Sequence, residues 1–242
     1  MPKVRLDNLL VERGLAPSRS AAQRLVMAGQ VRVEGQVALK PSQFVDPQSQ
    51  ILLEKGLPYV SRGGEKLAHA LHVFAIAVQG KVCADIGAST GGFTDCLLQH
   101  GAKRVYAIDV GKGILDWKIR QEPRVVVLEE TNVRQVENLP ERIDLATIDV
   151  SFISLKVVLP VVKNWLNAEG GEVIALIKPQ FEAGRQEVAR GKGVIRSEEV
   201  HRRVIEEIRH SAVELGLIEK GLCESPLLGP KGNKEFFIWL SL

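Results

Sequence analysis

From about residue 64 onward, short apolar runs alternate along the chain with longer amphipathic segments. Parallel strands joined by helices produce this alternation, because helices cover both faces of such a sheet and its strands are apolar throughout. The last two apolar runs are separated by the short loop at 229–233, which predicts an antiparallel hairpin. We therefore predict an α/β fold, a Rossmann-like doubly wound sheet with an antiparallel edge hairpin.

The same pattern gives approximate bounds for the elements of this sheet. Strands are predicted at 82–86, 104–109, 125–129, 145–150, 173–177, 217–224 and 235–240, and helices at 64–74, 92–100, 155–167 and 198–215. Residues 179–196 are polar and are predicted to form one long structureless segment. Loops of this length in a compact domain are usually lids or binding loops, or else disordered.

The first part of the chain is organised differently, with two short helices ahead of short strands. The first helix is predicted to end at Gly14, and the second to be capped by Ser18 or Ser20 and to end at Gly29. A strand at 31–33 then turns back on itself. Proline and glycine mark a boundary further on, which predicts a small N-terminal α+β domain at 1–57, a linker at 58–63 and a large domain at 64–242.

The net charge of +3 is concentrated in the first quarter of the chain. Residues 1–60 hold eight Lys and Arg against five Asp and Glu, whereas the remaining residues hold 24 of each. A local basic surplus suits a polyanionic partner, because neutralised phosphates release their counterions. A solvated surface without a partner is the alternative that charge alone leaves open.

Cysteine usage and hydropathy narrow the class of protein further. The three cysteines, Cys83, Cys96 and Cys223, are scattered and form no Cys-x-x-Cys pair, so neither a disulfide framework nor a zinc site is predicted. A reducing, cytoplasmic environment fits this usage. The longest stretch without a charged residue runs from 67 to 80, which is too short to span a bilayer.

The glycine-rich segment at 85–93 follows an apolar strand and opens a helix. It lacks the second glycine of a dinucleotide fingerprint, because Ser89 occupies that position. It also lacks the lysine of a phosphate-binding P-loop, because Phe93 and Thr94 follow Gly92. What remains has the pattern Asp-x-Gly-x-x-x-Gly-Gly, and a tight turn that serves packing alone is the simpler alternative.

Asp109 ends the next predicted strand, about twenty residues beyond this turn, where an acidic residue accepts the hydroxyls of a ribose. A ribose contact without a phosphate contact favours an adenosyl ligand, and S-adenosylmethionine is the candidate. Asn132 follows a further strand and is compatible with an adenine contact or with an ordinary turn. The predicted cofactor-binding residues are Asp85, Gly87, Ser89, Gly91, Gly92, Phe93, Asp109 and Asn132.

Three further motifs carry a family resemblance: SRGGEKL at 61–67, DVSFISL at 149–155 and IKPQFE at 177–182. Together with the glycine turn, they resemble the TlyA family over essentially the whole chain. Members are ribosomal RNA 2′-O-methyltransferases, also known as haemolysins, with a catalytic domain similar to the FtsJ/RrmJ type. Residues 5–53 resemble the RNA-binding fold first seen in ribosomal protein S-four, with Val-Glu-Gly at 33–35 in place of the usual Val-Asn-Gly.

FtsJ-like enzymes use a tetrad of two lysines and two carboxylates, and the resemblance implies catalytic roles for Lys66, Asp149, Lys178 and Glu235. Lys178 is the candidate base that takes the proton of the ribose hydroxyl as its oxygen displaces the methyl group from the sulfonium. Lys66 and the sulfonium favour a neutral Lys178, whereas the two carboxylates act in the opposite sense. Taken singly, each of the four is more simply explained as an exposed surface residue.

Basic residues in two segments are candidates for contacts with RNA: Arg5, Arg19, Arg24, Arg32 and Lys40 in the small domain, and Arg185, Arg190 and Lys192 in 179–196. Any of them is also compatible with a solvated surface. Trp117 and Phe152 are candidates for stacking on a base, although core packing is the stronger interpretation of Phe152. His69 and His72 have no further ligands nearby in sequence, so no metal is expected.

Three functions are compatible with these features. The first is transfer of a methyl group from S-adenosylmethionine to a ribose 2′-hydroxyl of ribosomal RNA in ribosomal subunits, with a cytidine target suggested by the family. The second is a non-catalytic RNA-binding ribosome assembly factor, which requires damage to the tetrad or the glycine turn that the sequence does not show. The third is a membrane-lytic protein, as the haemolysin name suggests, although the sequence offers no spanning segment.

Overall fold

The computed structural model describes residues 3–27, 30–53 and 58–242. The chain divides into two compact units, Met1–Pro58 and Tyr59–Leu242. One hydrophobic core lies in the small unit and two lie in the large unit.

The small unit combines two helices with short antiparallel strands. Its described elements are β1 (Val4–Arg5), α1 (Leu6–Glu12), α2 (Arg19–Met27), β2 (Val31–Val33), β3 (Gln36–Val37), β4 (Phe44–Val45) and β5 (Ile51–Leu53). β1 pairs with β4, and β2 lies between β3 and β5. The apolar faces of α1 and α2 pack with β2 around Leu6, Leu10, Val26 and Val31, which confirms the predicted α+β domain.

The helix ends of the small unit follow the sequence signals. Gly14 follows α1 with φ +68°, and the Ser18 hydroxyl accepts a hydrogen bond of 3.2 Å from the Ala21 N–H at the start of α2. Gly29, the predicted end of α2, lies outside the described residues. The strands β1, β4 and β5 were not predicted, because two or three residues are too few to display an alternating pattern.

The large unit is built on a seven-stranded sheet in the order β11-β12-β10-β9-β6-β7-β8. Its described helices and strands are α3 (Gly63–Val73), β6 (Val82–Ile86), α4 (Gly92–Gln99), β7 (Arg104–Ile108), α5 (Trp117–Arg120), β8 (Val125–Leu128), β9 (Leu145–Ile148), α6 (Leu155–Trp165), β10 (Glu172–Ile177), α7 (Pro179–Glu182), α8 (Arg185–Arg190), α9 (Glu198–Glu214), β11 (Ile218–Glu224) and β12 (Phe236–Ser241).

Five of the strands, from β10 to β8 in the sheet, run parallel, whereas β12 is antiparallel to both of its neighbours. The predicted doubly wound sheet with an antiparallel hairpin at one edge is therefore confirmed. Side chains alternate along β6, so that Val82, Ala84 and Ile86 join one core and Cys83 joins the other. α6 and α9 cover the first face, and α3 and α4 cover the second.

The prediction that residues 179–196 are structureless is wrong, because α7 and α8 lie within them. Pro179 occupies the first position of α7, where its missing N–H costs nothing. After α8, the Asn233 side chain accepts a hydrogen bond from the Ile195 N–H and donates one to the Gly193 carbonyl, both at 3.0 Å. This segment is thus held by contacts from far along the chain, which the local pattern of apolar residues does not reveal.

Candidate active site

Four predicted site positions directly follow four strands of the sheet. Gly87 comes after β6, Asp109 after β7, Asp149 after β9 and Lys178 after β10. Because these strands are parallel, their carboxyl ends meet at one edge, where doubly wound sheets bind ligands. Glu235 reaches the same edge from the opposite direction, because it precedes the antiparallel strand β12, whose first residue pairs with the last residue of β10.

The glycine turn requires glycine at two of its positions. Gly87 has φ +86°, and a Cβ there would overlap the backbone carbonyl oxygen of Asp149. Gly92 lies at the start of α4, where a Cβ would overlap the Ser61 hydroxyl. The turn therefore brings β6 close to the segment after β9 and brings α4 close to the segment before α3.

Asp109 is held in place by the backbone on either side of it. One carboxylate oxygen accepts a 2.8 Å hydrogen bond from the Ser89 N–H, and the other accepts a 2.7 Å bond from the Gly111 N–H. Each oxygen retains a second lone pair for a ligand hydroxyl. Ser89 takes a left-handed conformation, φ +49°, to make this contact.

Asp85 lies beneath the turn and lines neither of the two cavities described below. Its buried carboxyl accepts hydrogen bonds from the hydroxyls of Thr94, at 2.6 Å, and Thr147, at 3.3 Å. Burial raises the pKa of Asp85 to about 7, and the nearby Asp149 charge adds to this shift, although the Thr94 hydrogen bond opposes it. The structure gives Asp85 a position that supports the turn from inside, rather than the position beside the ligand that was expected.

The four tetrad side chains form two ion pairs. Lys66 Nζ lies 2.6 Å from Glu235 Oε2, and Lys178 Nζ lies 2.5 Å from Asp149 Oδ1. Glu235 is 1% exposed and Lys178 is 8% exposed. Neither is therefore the exposed surface residue that is the simpler explanation of each when it is considered alone. Each buried charge is thus neutralised by its partner, as burial of a charge requires.

Two neighbours of the tetrad were missed by the sequence interpretation. Lys178 Nζ donates a 3.1 Å hydrogen bond to the Ser151 hydroxyl, and the Gln180 side-chain amide donates one of 3.1 Å to the second oxygen of Glu235. Both residues stand two positions from a tetrad member and lie inside the quoted motifs, which was the available signal. Within the described part of the chain, the buried Gln180 side-chain oxygen has no hydrogen-bond partner.

Two adjoining cavities open at this edge of the sheet. The first, of about 520 Å³, is lined by all four tetrad residues and by the glycine turn. The second, of about 420 Å³, is lined by Asp109 and Asn132 and by the apolar side chains of Val110, Ile114 and Val133. Gly87, Ser89, Asp149 and Ser151 line both cavities, and such volumes are ordinary for small-molecule sites.

Of the remaining predicted cofactor-binding residues, Gly92 and Phe93 line the first cavity, whereas Gly91 lies at the start of α4 with φ +92° and lines neither. Asn132 lines the second cavity, and its side-chain oxygen accepts a 3.1 Å hydrogen bond from the Arg134 N–H. Asn132 therefore forms a turn, as one of the two interpretations held, at a position beside the cavity.

Phe152 is 90% exposed, so the expectation that it packs in the core is wrong. Its backbone is in the left-handed region, φ +64°, which is uncommon for a bulky residue and is seen at functional sites. The ring contacts that of Phe181, with the centroids 4.7 Å apart. Trp117 is also exposed, at the start of α5.

The predicted RNA-binding residues differ in their surroundings. Arg5 and Arg19 both contact the buried Asp7, Arg32 donates to the Gly35 carbonyl, and Arg24 and Lys40 are exposed. In the large unit, Arg190 and Lys192 are exposed, and the side chain of Arg185 lies outside the described residues. Lys192 lines a further cavity, of about 500 Å³, together with Phe152, Phe181 and Lys231.

Among the described residues, no group of three or more His, Cys, Asp or Glu side chains is placed to hold a metal ion. In the same part of the chain, no helix combines the length and the apolar character needed to cross a membrane.

The sheet, the glycine turn and the two lysine–carboxylate pairs define a methyltransferase of the FtsJ-like type. The family model for FtsJ-like methyltransferases matches residues 59–242, and the model for the S4 domain matches residues 4–51. The domain classes implied by the sequence resemblance are therefore confirmed.

Comparison with individual proteins narrows this class. A candidate rRNA methyltransferase of Bacillus subtilis, YqxC, is 48% identical over 98% of this chain and 85% of its own length. The 16S/23S rRNA (cytidine-2′-O)-methyltransferase TlyA of Mycobacterium tuberculosis is 45% identical over 98% of this chain and 90% of its own. A solved structure of a candidate hemolysin from Streptococcus thermophilus, 46% identical, superposes with a TM-score of 0.76 and covers 100% of this chain and 89% of that one. The chain belongs to the TlyA family.

Proposed function

We propose that this protein transfers the methyl group of S-adenosylmethionine to the 2′-hydroxyl of a cytidine in ribosomal RNA, within a ribosomal subunit. The observation that carries the proposal is the convergence of Lys66, Asp149, Lys178 and Glu235 on one cavity beside Gly87. Four separate segments of the chain supply these side chains, and a surface of ordinary charged residues does not account for their pairing and burial.

The described residues fit an adenosyl cofactor. Asp109 presents two oriented carboxylate oxygens for ribose hydroxyls, and Val110, Ile114 and Val133 offer an apolar surface for adenine in the same cavity. The cofactor supplies an electrophilic methyl group on a positively charged sulfur. Lys178 and Asp149 line the cavity on the other side of Gly87, so the reacting groups are expected where the two cavities adjoin.

Lys178 is the group that we assign to the proton of the ribose hydroxyl. Asp149 and Ser151 hold its nitrogen from two sides, which fixes the direction in which it can accept a proton.

Lys66 and Glu235 complete the wall of this cavity as a second pair. Their charges cancel, and the Gln180 amide holds the remaining Glu235 oxygen. A Cβ at Gly229 would overlap the Glu235 carboxylate, so a glycine keeps that space open. We assign this pair to orientation of the ribose, since precise placement of the oxygen supplies much of the acceleration in such a displacement.

The RNA side of the site is proposed to be the exposed ring of Phe152. It lies three residues after Asp149 and packs on Phe181, so a base that leaves its stack can be received beside the tetrad. Trp117, also exposed, is a second candidate for stacking. The basic residues of the S4 domain supply contacts to the RNA backbone.

The proposal is tested by methylation of ribosomal subunits from cells that lack this protein, with labelled cofactor. Wild-type protein is expected to transfer label, and Lys178→Ala to lose at least about a hundredfold in rate while cofactor binding survives, because general base catalysis contributes roughly that much. Lys103→Ala, an exposed lysine outside the site, is the matched control. Full activity of Lys178→Ala would remove Lys178 as the base.

Mapping of reverse-transcription stops at limiting nucleotide, on ribosomal RNA from cells with and without the protein, then identifies the methylated position. A non-catalytic assembly factor is the alternative, and it predicts that wild-type protein binds subunits without transferring label. No observation on the described residues favours membrane lysis, so it is not proposed.

A further inference from the structure

The small unit contains a buried carboxylate that receives five N–H groups. Asp7 is 0% exposed. Its Oδ1 accepts from Arg5 Nε at 3.0 Å and from the Asn8 N–H at 3.0 Å. Its Oδ2 accepts from Arg5 Nη2 at 2.8 Å, Arg19 Nε at 3.0 Å and the Gln23 amide at 3.1 Å. Nothing in the proposed chemistry of the large unit uses this group.

This arrangement places two guanidinium groups on one carboxylate, so the cluster keeps a net positive charge. A single arginine would have sufficed to neutralise Asp7, and the second is not needed to bury it. The side chain of Arg5 is 32% exposed and that of Arg19 is 55% exposed, so the charged ends reach the surface while Asp7 does not.

The two arginines also retain most of their donors. A guanidinium carries five N–H groups, of which Arg5 uses two and Arg19 uses one on Asp7. Among the described residues, no other hydrogen bond or ion pair engages them. Donors in this fixed, forked geometry match the oxygens of a phosphate.

We propose that Asp7 is a positioning residue that fixes Arg5 and Arg19 as one preformed site for a phosphate of the RNA backbone. The inference rests on the proposed function, since it takes ribosomal RNA as the ligand. Side chains that are ordered before binding need not be ordered on binding, so their contacts contribute more to affinity. In the described part of the small unit, the exposed Arg24 and Lys40 have no buried carboxylate to anchor them, so we expect them to contribute less than Arg5 and Arg19.

The substitution Asp7→Asn distinguishes positioning of the two arginines from a general effect of charge, because the two change the affinity for RNA in opposite directions. It removes one negative charge from an RNA-binding unit, and a purely electrostatic effect would tighten binding of a polyanion. We expect about tenfold weaker binding instead, with a salt slope reduced by about one phosphate contact. The control is Glu12→Gln, which removes the same charge from an exposed position on α1 and is expected to bind as tightly as wild type or tighter.

The measurement uses the full-length protein and both ribosomal subunits from cells that lack it, at several salt concentrations, with cofactor binding measured in parallel. Thermal unfolding by circular dichroism checks each variant. Arg19→Lys serves where Asp7→Asn fails to fold, because it keeps the charge and loses the fork, and we expect several-fold weaker RNA binding.

Asp7→Asn that folds and binds RNA as tightly as Glu12→Gln would overturn the inference. Undiminished binding by Arg19→Lys would overturn it equally. Failure of wild-type protein to bind either ribosomal subunit would count against the proposed function itself, which distinguishes the two failures. In each of these outcomes, cofactor binding is expected to stay unchanged.

Discussion

At the scale of single residues, burial decides what the acidic groups of the site do. Asp85 lies near the end of β6 and Asp149 directly follows the neighbouring strand β9. Asp149 faces the cavity beside Lys178, whereas Asp85 is enclosed by threonine hydroxyls. The pKa of Asp85, raised to about 7, means that its carboxyl holds a proton in the folded protein at a pH where an unfolded aspartate has lost it.

This difference in protonation makes the free energy of unfolding depend on pH, in a direction that can be predicted. From pH 4 to pH 7 the folded chain binds more protons at Asp85 than the unfolded chain, so the free energy of unfolding falls as the pH rises. Asp85→Asn removes this contribution, and we expect its stability to change less between pH 5 and pH 7.5 than that of wild type. Urea unfolding at both values checks this, with the exposed Glu214→Gln as control. A steeper dependence in Asp85→Asn would contradict it.

Gln180 is the second residue whose role follows from its contacts. The Gln180 side-chain amide donates a hydrogen bond to Oε1 of the buried Glu235. Gln180→Leu leaves this carboxylate oxygen without its donor. We expect the turnover number for RNA methylation to fall roughly tenfold, equivalent to about 1.4 kcal/mol, with little change in the Michaelis constant for RNA.

Steady-state kinetics with the two substrates varied separately test this expectation. Gln180→Asn and Gln121→Leu, the latter at an exposed position at the end of α5, are useful comparisons. If Gln180→Leu changes only the Michaelis constant, the amide acts in RNA binding instead.

At the scale of secondary structure elements, the strands and long helices of the large unit were predictable and the short helices were not. β6, β7, β9 and β10 are largely buried on both faces and β8 is partly buried, so their apolar runs are visible in the sequence. α7 and α8 are too short to show a period, and the backbone that follows α8 is held by hydrogen bonds to Asn233. Local pattern cannot report contacts between residues so far apart in sequence.

Some features of the candidate site were likewise predictable from the sequence, and others were not. The glycine turn and Asp109 followed from spacing, and the tetrad followed from motifs. The exposure of Phe152, the burial of Asp85 and the role of Asp7 did not, because each depends on which neighbours enclose the side chain. Chemical type alone does not tell whether an aromatic ring faces solvent or the core.

The segment from 191 to 195 gives a prediction at this scale. Asn233→Ala removes two hydrogen bonds to its backbone, one to Gly193 and one from Ile195. We expect a loss of about 1–3 kcal/mol in stability, because buried backbone groups are left unsatisfied. Thermal unfolding and limited proteolysis measure the effect, and cleavage is expected to increase between residues 183 and 196. Unchanged cleavage would show that other contacts hold the segment.

At the scale of the whole molecule, the two units have separate cores and separate tasks. The residues that line the two adjoining cavities lie in Tyr59–Leu242, and those of the Asp7 cluster lie in Met1–Pro58. Charge is divided in the same way, since the surplus of basic residues belongs to the first 60.

We therefore expect a fragment of residues 59–242 to keep one activity of the full chain and to lose another. It is predicted to bind S-adenosylmethionine as the full chain does, and to lose most of its methylation of ribosomal RNA, with a weaker dependence of RNA binding on salt. Isothermal titration with the cofactor and label transfer to subunits measure the two activities. Full methylation by the fragment would place RNA recognition in the large unit.

The position of Glu235 ahead of β12 has a consequence for the order in which the enzyme becomes active during its own synthesis. β12 lies between β10 and β11 in the sheet, so the sheet is complete only after β12 has been synthesised. A nascent chain that has already formed the glycine turn still lacks the partner of Lys66. The Lys66–Glu235 pair, and with it the complete tetrad, can therefore form only after β12 has been synthesised.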